Sequence, residues 1–111
     1  MQGEHETRED DIKVYISGPI TGNPDYEDDF GRAWVYLNNK GHAPISPIDI
    51  GREIKMKMGR EPTWEEYMRE DIKALMDCDG IYMLDGWLSS DGAKLEYQLS
   101  VEVVMVEIKL D

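Results

Sequence analysis

Cysteine is almost absent from this sequence, which has one thiol, Cys78, among 111 residues. A lone cysteine excludes a disulfide within the chain, and there is no Cys/His spacing of the kind that binds zinc. Cys78 stands just before a strand-like run, so we interpret it as a structural thiol. We therefore predict no metal site, and as a separate expectation we predict no cofactor.

Long apolar runs are also missing, since no stretch approaches the ~20 apolar residues of a membrane helix. Residues 1–11 are polar and acidic and lack the apolar core of a signal peptide. The hydrophobic fraction of 41% is nevertheless sufficient for a packed interior. We expect a disordered acidic tail over 1–11, one domain over 12–111, and a cytoplasmic protein with no membrane partner.

Positive charge is scarce, with 12 Lys and Arg against 24 Asp and Glu and a net charge of −12. Such a surface repels phosphate backbones, so we expect no nucleic-acid polymer as partner. A small anionic ligand remains possible through local backbone N–H donors. The charge would also permit an acidic protein that binds a basic partner.

The first half of the chain predicts a strand, a helix and a second strand. Lys13–Ser17 is rich in β-forming residues and stops at a Gly-Pro turn. Apolar residues at helical spacing predict a helix over 26–39, which Gly41 ends. Residues 43–48 contain two prolines and predict an edge strand. Residues 49–62 carry four cations without a clean period, so we expect a loop with at most one helical turn.

The second half predicts two helices and two further strands. Thr63 and Glu66 form a capping box that starts a helix, which is broken at Asp79-Gly80. Residues 81–84 are nearly all apolar, which indicates a strand buried on both faces. Ser90 or Asp91 caps a helix over about 92–100, and residues 103–108 form the last strand.

This alternation predicts a single-domain α/β fold. Its parallel sheet of four to five strands is flanked by helices, in a Rossmann-like (flavodoxin-like) arrangement. Ligands of such sheets bind at the carboxyl ends of the strands, where the strand order reverses. The loops at that edge are residues 18–24, 49–62 and 85–92.

Three segments contain residues suited to chemistry, and each has a structural alternative. Residues 15–22 leave a strand through a glycine-rich turn, which suits a phosphate or sugar but is more often only a turn. Asp71 lies near the apolar face of its helix, where a site acid and a solvated acid are both possible. Residues 89–97 open a helix, and Glu96 can point back toward its N-terminus or lie on the surface.

Together these segments resemble the nucleoside 2-deoxyribosyltransferase superfamily, which includes the 2′-deoxynucleoside 5′-monophosphate N-glycosidases. The resemblance covers residues 13–108 and is strongest to a deoxyribosyltransferase-like family common in phages and bacteria. The residues that carry it are Tyr15 with Gly18 and Gly22, Asp71 eight residues before Asp79, and Ser90 six residues before Glu96 with Gly92 between them.

The resemblance implies a role for each of four side chains. Glu96 would be the nucleophile that attacks C1′ of the sugar and forms a glycosyl-enzyme ester. Asp71 would protonate or orient the departing base. Tyr15 would hold the nucleophile or the sugar, and Ser90 would contact the 5′ end of the ligand. In the superfamily a serine at the Ser90 position goes with 5′-monophosphates and an aspartate with free nucleosides.

The resemblance also implies a binding pocket and an assembly. Trp87 would either stack on the base or cover the core. A homodimer or higher homo-oligomer is implied, with a small-molecule nucleoside or nucleotide as partner. A non-catalytic nucleotide-binding or sensing domain on the same fold is the alternative to an enzyme. The predicted substrate-binding residues are Gly18, Ile20, Thr21, Gly22, Trp87, Ser90 and Gly92.

Overall fold

A four-stranded parallel sheet forms the centre of the protein. The computed structural model describes residues 12–109, and the predicted acidic tail lies outside them. The strand order is β2-β1-β3-β4, with every neighbouring pair parallel. The strands are β1 (Lys13–Ser17), β2 (Ala43–Ile45), β3 (Gly80–Met83) and β4 (Val106–Ile108).

Four α-helices connect and cover the strands. This arrangement confirms the predicted α/β fold class and the flavodoxin-like strand order, whose reversal lies between β1 and β3. A short 3₁₀ turn, Trp87–Ser89, precedes the last helix. The helices are α1 (Tyr26–Asn39), α2 (Pro47–Met58), α3 (Trp64–Met76) and α4 (Asp91–Glu102).

The central strand β1 separates two halves of the core. Val14 and Ile16 face α1, where they pack with Phe30. Tyr15 points to the opposite face, where it packs with Leu75 of α3. Successive residues of a strand face opposite sides, so a central parallel strand is apolar throughout rather than alternating.

The prediction of a loop over 49–62 was wrong, because most of this segment is helix α2. Ser46 caps the helix by accepting a hydrogen bond from the Ile48 N–H, and Pro47 occupies the first turn. Gly59 ends it in the left-handed conformation at φ 69°. Both signals are present in the sequence, but few apolar side chains of α2 are buried, so its periodicity is weak.

Several predicted boundaries also move. β2 stops at Ile45 rather than at residue 48, because Ser46 and Pro47 start α2. β4 begins at Val106 rather than at residue 103, since Val103 and Val104 form the turn after α4. β3 covers 80–83 rather than 81–84, and α4 extends from residue 91 to 102.

α3 ends at Met76, before the predicted break at Asp79-Gly80, because Gly80 already belongs to β3. The predicted caps and the end of α1 are confirmed. Thr63 and Glu66 make the reciprocal bonds of a capping box at the start of α3. Ser90 caps α4 by accepting from the Ala93 N–H at 3.1 Å. Gly41 follows α1 with φ 93°. Because these caps set where each helix starts, they also fix which side chains reach the sheet edge.

Candidate functional site

Glu96 is a buried acid whose carboxylate is held by two hydroxyl groups. Glu96 is 4% exposed and lies on α4, above β1. The Tyr15 hydroxyl donates to Oε2 at 2.7 Å, and the Ser17 hydroxyl donates to Oε1 at 2.6 Å. Tyr15 and Ser17 are two residues apart on β1 and therefore share one face. Such short O–H···O contacts are typical of an ionised acceptor.

Asp71 is a second buried acid, and it has a different environment. It lies on α3 and is 7% exposed. Its Oδ1 atom is buried and has no hydrogen-bond partner among the described residues. Buried polar atoms are normally paired, so an unpaired one suggests a group that meets a ligand.

Burial shifts the pKa of both acids upward. For Asp71, burial raises the pKa to about 8, and the negative charges of Glu96 and Glu70 add to the effect. For Glu96, burial raises the pKa to about 7, while hydrogen bonds from Ser17 and Tyr15 lower it. Burial disfavours the charged form of both acids, and hydrogen bonds that favour the charged form act on Glu96 alone, so Asp71 is the acid that retains a proton more readily. The two acids therefore differ in what stabilises their charged form, although both are buried.

Both acids line one cavity of about 430 Å³ at the carboxyl edge of the sheet. This volume lies in the range of small-molecule sites. The wall also contains apolar and aromatic side chains from α3, namely Trp64, Tyr67 and Met68.

α3 packs against both α2 and α4, and residues of all three helices line the cavity. A Cβ atom placed on Gly51 would lie 3.1 Å from the Tyr67 ring, so α2 and α3 approach closely. A Cβ atom on Gly92 would lie 3.2 Å from the Met68 sulfur. The cavity therefore has one end at α2 and another at the N-terminus of α4.

One family match spans the whole described region, residues 12–109. The family model for a domain of unknown function, DUF4406, matches residues 12–109. The chain belongs to this DUF4406 family. A comparison with curated proteins gives no significant match.

Most of the predicted site residues of this DUF4406 domain come together. Tyr15 lies behind Glu96 and holds it, while Gly22 and Trp87 do not line the cavity. The Trp87 ring instead packs on Tyr97 of α4, with ring centroids 4.8 Å apart. The predicted residues that line the cavity are Gly18, Ile20, Thr21, Asp71, Ser90, Gly92 and Glu96.

Gly18 also has a structural role at the floor of the site. A Cβ atom there would lie 2.7 Å from Leu84 Cβ, just beyond β3. Any side chain at this position would push apart the carboxyl ends of β1 and β3. The glycine therefore allows the close approach on which the cavity depends.

Sequence reasoning missed several residues of the site. Ser17 could have been found, because it is two residues after Tyr15 on a predicted strand. Trp64 and Met68 lie at helical spacing on the same face of α3 as Asp71, which suggests core residues, but both line the cavity. Arg52 was placed in a predicted loop at the ligand-binding edge of the sheet without a role in the site; it lies on α2 and lines the cavity.

Three further observations concern Cys78, metal-ligating side chains and helix length. Cys78 is buried, its thiol donates to the Ala74 carbonyl at 3.2 Å, and burial raises its pKa to about 11, as fits a structural thiol. Within residues 12–109, no cluster of three metal-ligating side chains occurs. Over the same residues, no helix has the length and hydropathy needed to cross a membrane.

The predicted homo-oligomer stays a prediction. In the sequence, the apolar residues available for such an interface on α1 and α3 are Trp34, Tyr36, Met68 and Met76. Trp34 and Met76 are exposed, but Met68 is buried in the cavity wall. Part of the surface assigned to assembly therefore belongs to the site.

Proposed function

We propose that this DUF4406 domain cleaves the N-glycosidic bond of a (2′-deoxy)nucleoside or its 5′-monophosphate through a covalent intermediate on Glu96. The observation that supports this most is the pairing of two buried acids in one cavity. One acid is oriented by two hydroxyls, and the other is unpartnered with a pKa of about 8.

In the first step, an ionised Glu96 oxygen attacks C1′ of the sugar. The bond between C1′ and the base nitrogen breaks, and its electron pair goes to that nitrogen. A carboxylate suits this step because it stabilises an oxocarbenium-like transition state and then forms the glycosyl ester. The Tyr15 and Ser17 hydroxyls keep the carboxylate in place, and each carboxylate oxygen keeps a further lone pair for the reaction.

Asp71 would supply the proton that the departing base needs. A carboxyl group with a pKa of about 8 holds its proton at neutral pH and has little tendency to lose it to water. Its unpartnered Oδ1 leaves this group available to a ligand in the cavity. General acids with a pKa near the working pH are the most effective.

The second step returns Glu96 to its carboxylate form. Water, or a second base, attacks C1′, and the ester bond to Glu96 breaks with its electron pair returning to the carboxylate. The proton lost by the attacking group goes to Asp71, which was left ionised by the first step. The acid of one step is thus the base of the next, as in retaining glycosidases.

The position of Ser90 favours a binding mode in which the 5′ end of the sugar lies at the start of α4. Its hydroxyl accepts a hydrogen bond from the Ala93 N–H, and a hydroxyl that accepts can still donate to a ligand. The N-terminus of a helix also favours anionic groups. Both features agree with the 5′-monophosphate that the superfamily resemblance suggests.

The test is to incubate the purified protein with nucleosides and 5′-monophosphates and to measure free base by chromatography. We expect Glu96→Gln to lower base release at least about 1,000-fold, because the nucleophile is lost. Glu102→Gln is the matched control, since Glu102 is an exposed acid on the same helix. Mass spectrometry of protein quenched during turnover should find the sugar attached to the peptide that contains Glu96.

Three outcomes would contradict the proposal. Base release that survives in Glu96→Gln would show that Glu96 is not the nucleophile. Equal loss in Glu102→Gln would indicate a general effect of charge on α4. No release from any member of the panel, with a nucleotide still raising the melting temperature, would favour the binding or sensing domain.

A further inference from the structure

The α2 end of the cavity carries charged side chains that the proposed reaction does not use. Arg52 and Lys55 are the cations that line the cavity within residues 12–109. The Arg52 guanidinium lies 3.2 Å from Glu27 of α1 and 3.5 Å from Asp49. The Lys55 ammonium lies 3.2 Å from Glu61.

These ion pairs leave the α2 end without net positive charge. Three carboxylates face two cations, so a phosphate dianion placed there would also meet Glu27, Asp49 and Glu61. A neutral polar group would instead find donors and acceptors side by side. Each side chain is more than half exposed, and exposed pairs are weak enough to rearrange around a ligand.

The topology places this end opposite the proposed sugar site. α2 follows β2, and α4 follows β3. β1, whose Tyr15 and Ser17 hydroxyls bind Glu96, lies between β2 and β3 in the sheet. If the 5′ end of the sugar lies at Ser90, the departing base lies toward α2. The Tyr67 ring, which abuts α2 at Gly51, then forms part of the wall beside the base.

We propose that Arg52, together with Glu27, selects bases that carry a ring carbonyl next to a ring N–H over bases that carry an amino group there. This inference rests on the proposed function. A guanidinium has five donors and no acceptor, so it suits the carbonyl oxygen, while the Glu27 carboxylate accepts from the adjacent N–H. Adenine and cytosine would place an amino donor where the carbonyl oxygen should be.

The reaction would strengthen this preference. As the bond between C1′ and the base breaks, the electron pair left on the base spreads onto its carbonyl oxygen. A cation beside that oxygen stabilises the charge that develops in the transition state. Arg52 would therefore affect the rate of base release as well as binding.

The test uses matched pairs of ligands in which a carbonyl replaces an amino group at one position. The pairs are the 5′-monophosphates of deoxyinosine and deoxyadenosine, and those of deoxyuridine and deoxycytidine. Binding is measured by calorimetry on the Glu96→Gln protein, so the result does not depend on turnover. We expect the carbonyl member of each pair to bind about tenfold more tightly, as an arginine contact to a base edge typically provides.

Arg52→Gln in the same background should bring each ratio close to one. Arg32→Gln is the matched control, because Arg32 is an exposed, ion-paired arginine on α1 that does not line the cavity. A second comparison holds the base fixed and measures the preference for the monophosphate over the nucleoside. That preference should be unchanged by Arg52→Gln.

The outcomes separate this inference from the proposed function. Equal or tighter binding of the amino members, or ratios that survive Arg52→Gln, would overturn it. A loss of monophosphate preference in Arg52→Gln would also overturn it, because the phosphate would then lie at α2. Base-selective binding that needs Arg52, without base release by the unmodified chain, would support this inference and reject the proposed reaction.

Discussion

The cavity has a carboxyl group on each of two sides, and the two groups differ in their hydrogen-bond partners. On the β1 side, Glu96 accepts hydrogen bonds from Tyr15 and Ser17. On the α3 side, the Oδ1 atom of Asp71 is buried without a partner among the described residues. Burial raises both pKa values, but the two hydroxyls oppose the effect at Glu96. The comparison shows that hydrogen-bond donors, and not burial alone, decide how strongly the charge of a buried acid is disfavoured.

Among changes that leave the nucleophile in place, the largest expected effect comes from removing the Asp71 carboxyl group on the α3 side. Asp71→Asn keeps the shape of the side chain but has no proton to give to the departing base. We expect base release to fall about 100-fold to 10,000-fold, the usual contribution of a general acid. The loss should be smallest for nitrophenyl or other activated leaving groups, which need no proton. An equal loss for all leaving groups would argue that Asp71 only shapes the cavity.

The same variant should change stability in a way that depends on pH. Asp71 has a folded pKa of about 8, above its unfolded value of about 3.9, so folding favours its protonated form. The stability that this proton provides is complete below about pH 4 and is lost as pH rises toward 8. An asparagine has no proton to lose there.

Chemical unfolding at several pH values tests this expectation. Asp71→Asn should match the unmodified protein near pH 4 and exceed it by about 2–5 kcal/mol near pH 8.5. Glu65→Gln is a useful control, because Glu65 is an exposed acid on the same helix and does not contribute to the raised pKa of Asp71. A stability difference that does not grow with pH would contradict the raised pKa of Asp71.

The smallest expected effect comes from removing one of the two β1 hydroxyls that bind Glu96. Base release should follow a bell-shaped pH profile, rising as Glu96 ionises near pH 7 and falling as Asp71 loses its proton near pH 8. Tyr15→Phe and Ser17→Ala each remove a bond that lowers the Glu96 pKa. The rising limb should therefore move to higher pH by roughly half a unit to one unit, with a loss of about tenfold or less at pH 7.

Tyr82→Phe provides the control for this shift. Tyr82 is a buried tyrosine on the neighbouring strand β3, and it packs on the α1 face of the sheet, away from Glu96. Its variant should leave the profile in place. Movement of the falling limb in Tyr15→Phe, with the rising limb unchanged, would reverse the assignment of the two acids.

The sequence was sufficient to predict the fold class, the two buried acids and the glycine-rich and α4 segments that line the cavity. β1, α3 and α4 have strong local signals, namely a β-rich run and two side-chain caps, and the acids lie on those elements. The α2 end was not predictable in the same way. Only Pro47 and Ile54 of α2 are buried, so its amphipathic pattern is faint, and the start at Ser46 was absorbed into the predicted strand.

Contacts between distant elements were also out of reach of the sequence. The hydrogen bond from Ser17 to Glu96 joins residues 79 positions apart, and its existence depends on how α4 lies across β1. The ion pair of Arg52 with Glu27 depends on the relative position of α1 and α2. Local sequence propensity gives no information on the distance between two such elements, so these contacts are known only from the folded structure.

The placement of both hydroxyls on one five-residue strand has a consequence for sequence change. A side chain of β1 can be exchanged singly, but a shift of the strand by one residue would turn Val14 and Ile16 toward Glu96 and send Tyr15 and Ser17 to the α1 side. The sheet could still form, since both faces accept apolar residues. Insertions and deletions between the start of β1 and Ser17 are therefore far more dangerous to the site than substitutions, whereas the exposed turn after α2 can change length more freely.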